Sequence, residues 1–192
     1  KIIKVIVCET LGVLPNSQNA LKHCRGKYIL FADQDDYWLD RKVECVLTAF
    51  SQCNPPVVLH NMRYANGDLQ PSDVTLFKER HSHPGLLWNL IKNSYHGGCM
   101  AIDSKYIDVF YPIPAKIGFG DRWVGLVGEM CGNPVFIPEV LMLYRRHENN
   151  LSPRNRRSTK IIIPERIRLI IELYKRKKNI KRIFQIGNPA DE

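Results

Sequence analysis

The chain has 192 residues, 44% of them hydrophobic and 24% charged, with a formal net charge of +9. That composition excludes a disordered chain, and no run of about 18 apolar residues offers a bilayer-spanning helix. The charge is uneven: residues 154–182 hold twelve Lys and Arg against Glu165 and Glu172, a local +10, so the rest carries −1.

Ile2–Val7 reads as a strand, and the chain opens inside it without an initiator Met, as a fragment of a longer protein would. A helix is expected at Asn16–Cys24, closed by Gly26. Tyr28–Ala32 reads as a buried strand of a parallel sheet. It runs straight into Asp33-Gln34-Asp35-Asp36. In open α/β sheets, ligands bind beyond the carboxyl ends of the strands. Three acids within four residues repel one another, and a cation among them relieves the repulsion. Hard oxygen ligands of this kind suit Mg2+ or Mn2+ shared with phosphate. Helix capping by Asp36 or Asp40 accounts for one acid and leaves two unexplained.

Asp40–Cys53 carries Val43, Val46, Leu47 and Phe50 at helical spacing. Pro55-Pro56 breaks it before a strand at Val57–Leu59, and Asn66-Gly67 signals a hairpin turn. Residues 68–83 read as a polar, irregular loop. A helix at His83–Asn93, a strand at Tyr95–Ile102 around Gly97-Gly98, and helices at Ser104–Phe110 and Phe119–Cys131 follow. Strands at Pro134–Ile137 and Val140–Tyr144 complete the body. Cys8, Cys24, Cys45, Cys53, Cys99 and Cys131 form no Cys-x-x-Cys pair, which argues for free thiols in a reducing cytoplasm over a zinc or disulfide framework.

In the tail, Ile163, Ile167, Ile170, Ile171 and Tyr174 make an apolar stripe at helical spacing, and Lys175-Arg176-Lys177-Lys178 follows. Such a helix suits packing on the domain or contact with an anionic membrane surface. Charge alone would also suit nucleic acid, but no recognition motif accompanies it, so no nucleic-acid partner is expected.

Five segments carry a more specific signal. They are Leu11-Gly12-Val13 with Asn16 and Gly26-Lys27-Tyr28-Ile29; Asp33-Gln34-Asp35-Asp36-Tyr37-Trp38 with Lys42; His96-Gly97-Gly98-Cys99-Met100-Ala101; Gly120-Asp121-Arg122-Trp123; and Tyr144-Arg145-Arg146-His147-Glu148-Asn149-Asn150. In this order they resemble the family 2 glycosyltransferases of GT-A fold, especially their rhamnosyltransferase-like branch. The resemblance implies an α/β, Rossmann-like mixed sheet flanked by helices over residues 1–150, N-terminally truncated by a nucleobase-holding strand–helix–strand. Residues 151–192 would form a basic amphipathic tail. Two departures stand out: Glu9-Thr10 replaces a turn that commonly contains Asn, and Gly120 replaces the acid that often precedes Asp121.

The chemistry implied is inverting, metal-dependent transfer of a sugar from a nucleoside diphosphate to a glycan or lipid-linked acceptor, in the cytoplasm at the inner face of a membrane. Asp35, Asp36 and His147 would contact Mn2+ or Mg2+, with a surface imidazole as the plain alternative for His147. Asn16, Asp33, Asp35, Gly98 and Arg145 would bind the donor, Arg146 being an equal choice for the phosphates. Asp121 would be the general base, against a simple helix N-terminal acid. Trp123 would be an acceptor platform, against an aromatic of the core. A second reading is a non-catalytic remnant that serves as a binding or scaffold module.

Overall fold

The computed structural model describes residues 4–7, 12–114, 117, 120–146 and 158–186. Among them, six strands form one mixed sheet: β1 Tyr28–Leu30, β2 Tyr37–Trp38, β3 Val57–Ala65, β4 Pro71–Thr75, β5 Met100–Asp103 and β6 Val135–Arg145. Their order is β1-β5-β3-β6-β2, with β4 added to β3. The β3–β6 pairing is parallel, with Val58 opposite Val135 and Tyr64 opposite Tyr144. The pairings β1–β5, β5–β3, β2–β6 and β3–β4 are antiparallel.

Side chains alternate across a strand, and the sheet sorts them accordingly. Val58 and Ala101 face helix α2 (Lys42–Cys53), meeting Val46, Ala49 and Phe50. Val57, Leu59, Met100 and Ile102 face the main core, which contains Trp123, Val124 and Val127 of helix α6 (Gly120–Cys131). A Cβ on Gly125 would lie 2.1 Å from the Tyr95 ring, and one on Gly128 would lie 2.5 Å from Val57. These two glycines therefore set how closely α6 approaches the sheet.

The remaining helices are α1 (Val13–His23), α3 (Leu76–Arg80), α4 (Leu86–Ile91), α5 (Ile107–Phe110) and α7 (Thr159–Ile186). Leu169, Leu173 and Ile180 seat α7 in the main core. No helix is long and apolar enough to cross a membrane among the described residues.

Several expectations change. Residues 4–7 join no strand, and Val5 and Val7 lie exposed. β1 is a three-residue strand at the sheet edge, paired antiparallel to β5. The apolar run that suggests a parallel neighbour looks the same in either setting. The polar stretch 68–83 is not irregular: Asn66 Oδ1 accepts from the Asp68 and Gln70 N–H groups, and the chain returns as β4 and then α3. Pro134–Ile137 and Val140–Tyr144 merge into β6, whose register shifts near Pro138 absorb the proline. Cys24, Cys45, Cys53, Cys99 and Cys131 are free.

Candidate active site

The acid string leaves the sheet at the end of β1 and returns as β2, which pairs Trp38 with Met142 of β6. Between them the loop folds over the turn at Gly97–Cys99 that precedes β5. A Cβ placed on Gly98 would meet Asp36 Oδ2 at 2.9 Å and Asp33 Oδ2 at 3.3 Å. The two carboxylates thus converge on a backbone that carries no side chain. Asp36 Oδ1 accepts the Arg145 backbone N–H at 3.3 Å, while its Oδ2 is buried without a hydrogen-bond partner.

That arrangement resists negative charge. Burial, then Asp33 and Asp35, push the Asp36 carboxyl up to about 7, against the Arg145 N–H and Lys42. Burial and Asp35 raise Asp33 in the same sense. Beneath them lies Lys42, fully buried at the start of α2. Its Nζ donates to the Gly98 carbonyl at 2.9 Å and sits 3.7 Å from the centre of the Trp38 ring. Burial lowers this ammonium to about 8, while Asp36 and Asp33 favour its charge. Lys42 is a residue of this cluster that motif reading quotes without a role. Its signal in the sequence is a wrong-signed charge, because a cation in a helix's first turn opposes the dipole and so needs a tertiary partner.

The imidazoles nearby stay neutral. Burial, reinforced by Arg80 and other cations, drives His96 down to about 3, and burial with Lys42 drives His60 down to about 4. Arg80 donates to the Tyr95 carbonyl at 3.0 Å, and Arg146 lies over the Tyr64 ring at 4.5 Å.

Asp121 stands half-buried in the first turn of α6. Its Oδ1 accepts the Arg122 N–H at 2.7 Å. Burial raises its pKa against that N–H, Arg80 and Arg122, and Asp33 adds a further upward push. The acid loop and the start of α6 therefore share one electrostatic neighbourhood. Arg122 holds α6 in place by donating to the Asn89 and Leu90 carbonyls at the end of α4.

Asp33, Asp36, Gly98 and the Arg145 backbone thus come together, with Asp35 in the same loop and Asp121 within electrostatic reach of Asp33. Asn16 lies on the exposed side of α1. His147 falls outside the described residues. Trp123 is corrected: it is fully buried, its indole N–H donates to the Phe110 carbonyl at 2.8 Å, and Arg176 covers its ring. An aromatic so enclosed has no face for a sugar.

The donor set fits a hard divalent cation. Two carboxylates converge, and one of their oxygens is buried and unsatisfied. Among the described residues no group of three or more His, Cys, Asp or Glu could hold an ion by itself, so further ligands would come from substrate phosphate, water or His147.

The sequence matches the family model described as glycosyl transferase family 2 over residues 1–110. No curated protein matches it. Among solved structures, S. aureus TarS 1–349 in complex with UDP-GlcNAc is 17% identical with a TM-score of 0.58, covering 82% of this chain and 45% of that one. A second structure of S. aureus TarS 1–349 has a TM-score of 0.49 at 16% identity, covering 67% and 38%. The chain thus spans less than half the length of these TarS chains. The first likeness gives the fold, a GT-A mixed sheet flanked by helices.

Proposed function

The chain belongs to glycosyl transferase family 2, and from that membership we propose that it moves a sugar from a nucleoside-diphosphate donor to an acceptor hydroxyl at the acid loop. The observation that carries this reading is the buried, unpartnered Oδ2 of Asp36 converging with Asp33 on Gly98. Two acids held at the mouth of a sheet, with a lysine beneath them, suit a diphosphate that arrives with its own cation.

Asp35 and Asp36, with His147, would hold Mn2+ or Mg2+, which supplies Lewis-acid neutralisation of the leaving diphosphate. Asp33 orients the loop and the donor. Arg145, or Arg146 in its place, would pair with the diphosphate oxygens. Asn16 and Gly98 complete the donor's surroundings. Asp121 is the general base: as the acceptor oxygen bonds to the anomeric carbon, its proton passes to the Asp121 carboxylate, and the carbon–diphosphate bond breaks. Burial raises the basicity of that carboxylate, and Arg80 and Arg122 oppose the rise. One base and no carboxylate nucleophile fit a single displacement with inversion. The acceptor would be a glycan or lipid-linked acceptor at the cytoplasmic face of a membrane.

The donor sugar is rhamnose on the motif resemblance, whereas the TarS complex holds UDP-GlcNAc, so both donor types belong in the test. Isothermal titration and transfer assays with Mn2+ compare the chain with its Asp36→Asn and Asp121→Asn variants. Asp36→Asn is expected to lose metal-dependent donor binding, and Asp121→Asn to bind donor but transfer at most about 1% as fast. Full transfer by Asp36→Asn would overturn the acid loop's role. Donor binding without transfer by the unmodified chain would favour the binding-module reading.

A further inference from the structure

Helix α7 has two faces with different surroundings. On one, Leu169, Leu173 and Ile180 are buried in the core. The Arg176 guanidinium donates to the Val109, Tyr111 and Pro112 carbonyls, and Arg166 reaches the Ile91 carbonyl. At about 100° per residue, Ile163, Ile167, Ile170, Ile171 and Tyr174 share a stripe turned well away from that face. All five are 48–63% exposed. They run for about 17 Å along the axis at ~1.5 Å per residue. The stripe is bordered by exposed Lys160, Arg168, Lys177 and Lys178. Over Thr159–Ile186 the sequence holds nine Lys and Arg against two Glu.

A domain that needed α7 only as a structural strap would gain nothing from five large apolar side chains on the outward side. We propose that this side of α7 rests on a membrane surface rich in anionic lipid, with the isoleucine stripe in the headgroup–acyl boundary and the flanking cations among the phosphates. Nucleic acid would satisfy the charge but offers the isoleucines no acyl phase. A second copy of this chain would satisfy the isoleucines but set two strongly basic helices against each other. Anionic lipid meets both demands. The helix lies on the bilayer without crossing it. Because Arg176 also covers Trp123, two residues past Asp121, docking would hold the α6 start at a fixed orientation to the lipid. This inference goes beyond the sugar-transfer reading and does not depend on it.

The test is co-sedimentation of the full chain with vesicles of phosphatidylcholine alone and with about 30% phosphatidylglycerol. The variants are Ile163→Ser/Ile167→Ser/Ile170→Ser and Lys177→Glu/Lys178→Glu, with circular dichroism confirming that each is folded. Binding is expected on the anionic vesicles, with about a tenfold or greater fall on neutral ones and in either variant. Equal binding to both vesicle types, no binding, or loss in the lysine variant alone would overturn the proposal. So would a dimer in sedimentation analysis that the isoleucine variant abolishes. Transfer to a soluble acceptor, measured on the same variants, should persist; its absence from the unmodified chain would count against the active site and leave the lipid result standing.

Discussion

Burial and the neighbouring Asp33 and Asp35 push the Asp36 carboxyl up to about 7, so the folded chain holds this proton more tightly than the unfolded one. Below the ordinary carboxylate value of 3.8 there is no difference; above about 7 the full cost of the charge falls on the fold. Asp36→Asn is therefore expected to raise Tm at pH 8 and leave it nearly unchanged at about pH 3, below the unfolded value. Discounted for solvent screening, the gain is about 1 kcal/mol, or ~2–4 °C by calorimetry. A lower Tm at pH 8 would mean that the carboxylate stabilises the fold. The acid string itself is readable from spacing alone. The lysine beneath it is not, because Lys42 meets Gly98 and Met142 only through pairings that cross 56 and 100 residues of chain.

At the scale of elements, periodicity locates the longer helices and the central strand. It fails where three or four residues suffice, because a strand as short as β1 is made by its partner Met100–Asp103 and not by its own pattern. It fails also at β4, whose exposed residues carry no apolar alternation and which forms because the Asn66 turn returns the chain alongside β3. Helix α6 shows packing that a hydrophobic stripe does not specify. Tyr95 occupies the space above Gly125 and donates from its hydroxyl to Glu129 at 2.7 Å. Glu129 also accepts from the Gly85 N–H and the Asn89 amide, so the ring cannot easily withdraw. Gly125→Ala is expected to cost about 3 kcal/mol and lower Tm by ~6–12 °C. Unchanged stability would mean that α6 has room to rise from the sheet.

Across the whole molecule, one arginine ties the tail to the body. Arg176 satisfies three carbonyls at the end of α5 and covers Trp123 of α6. Arg176→Met keeps the apolar stem and removes those bonds, leaving carbonyls unpaired. Amide exchange in α7 is expected to rise at least about tenfold while β3 stays protected. Equal loss of protection in both would mean that α7 belongs to the cooperative core. The sequence separates tail from body by charge, yet it cannot show that an exposed-looking cation lies inward, since Arg176 sits among three other cations in an unbroken run.

Among the described residues, two tryptophans have a cation above the ring: Lys42 over Trp38 at the acid loop, and Arg176 over Trp123 beside α7. Indole emission shifts with the electric field across the ring, so the protein carries its own optical probes. Replacing Trp88 and one of the pair with Phe would leave a single emitter. Trp38 would then report on ligand arriving at the acids, and Trp123 on movement of the tail helix, each in the unlabelled protein and in real time.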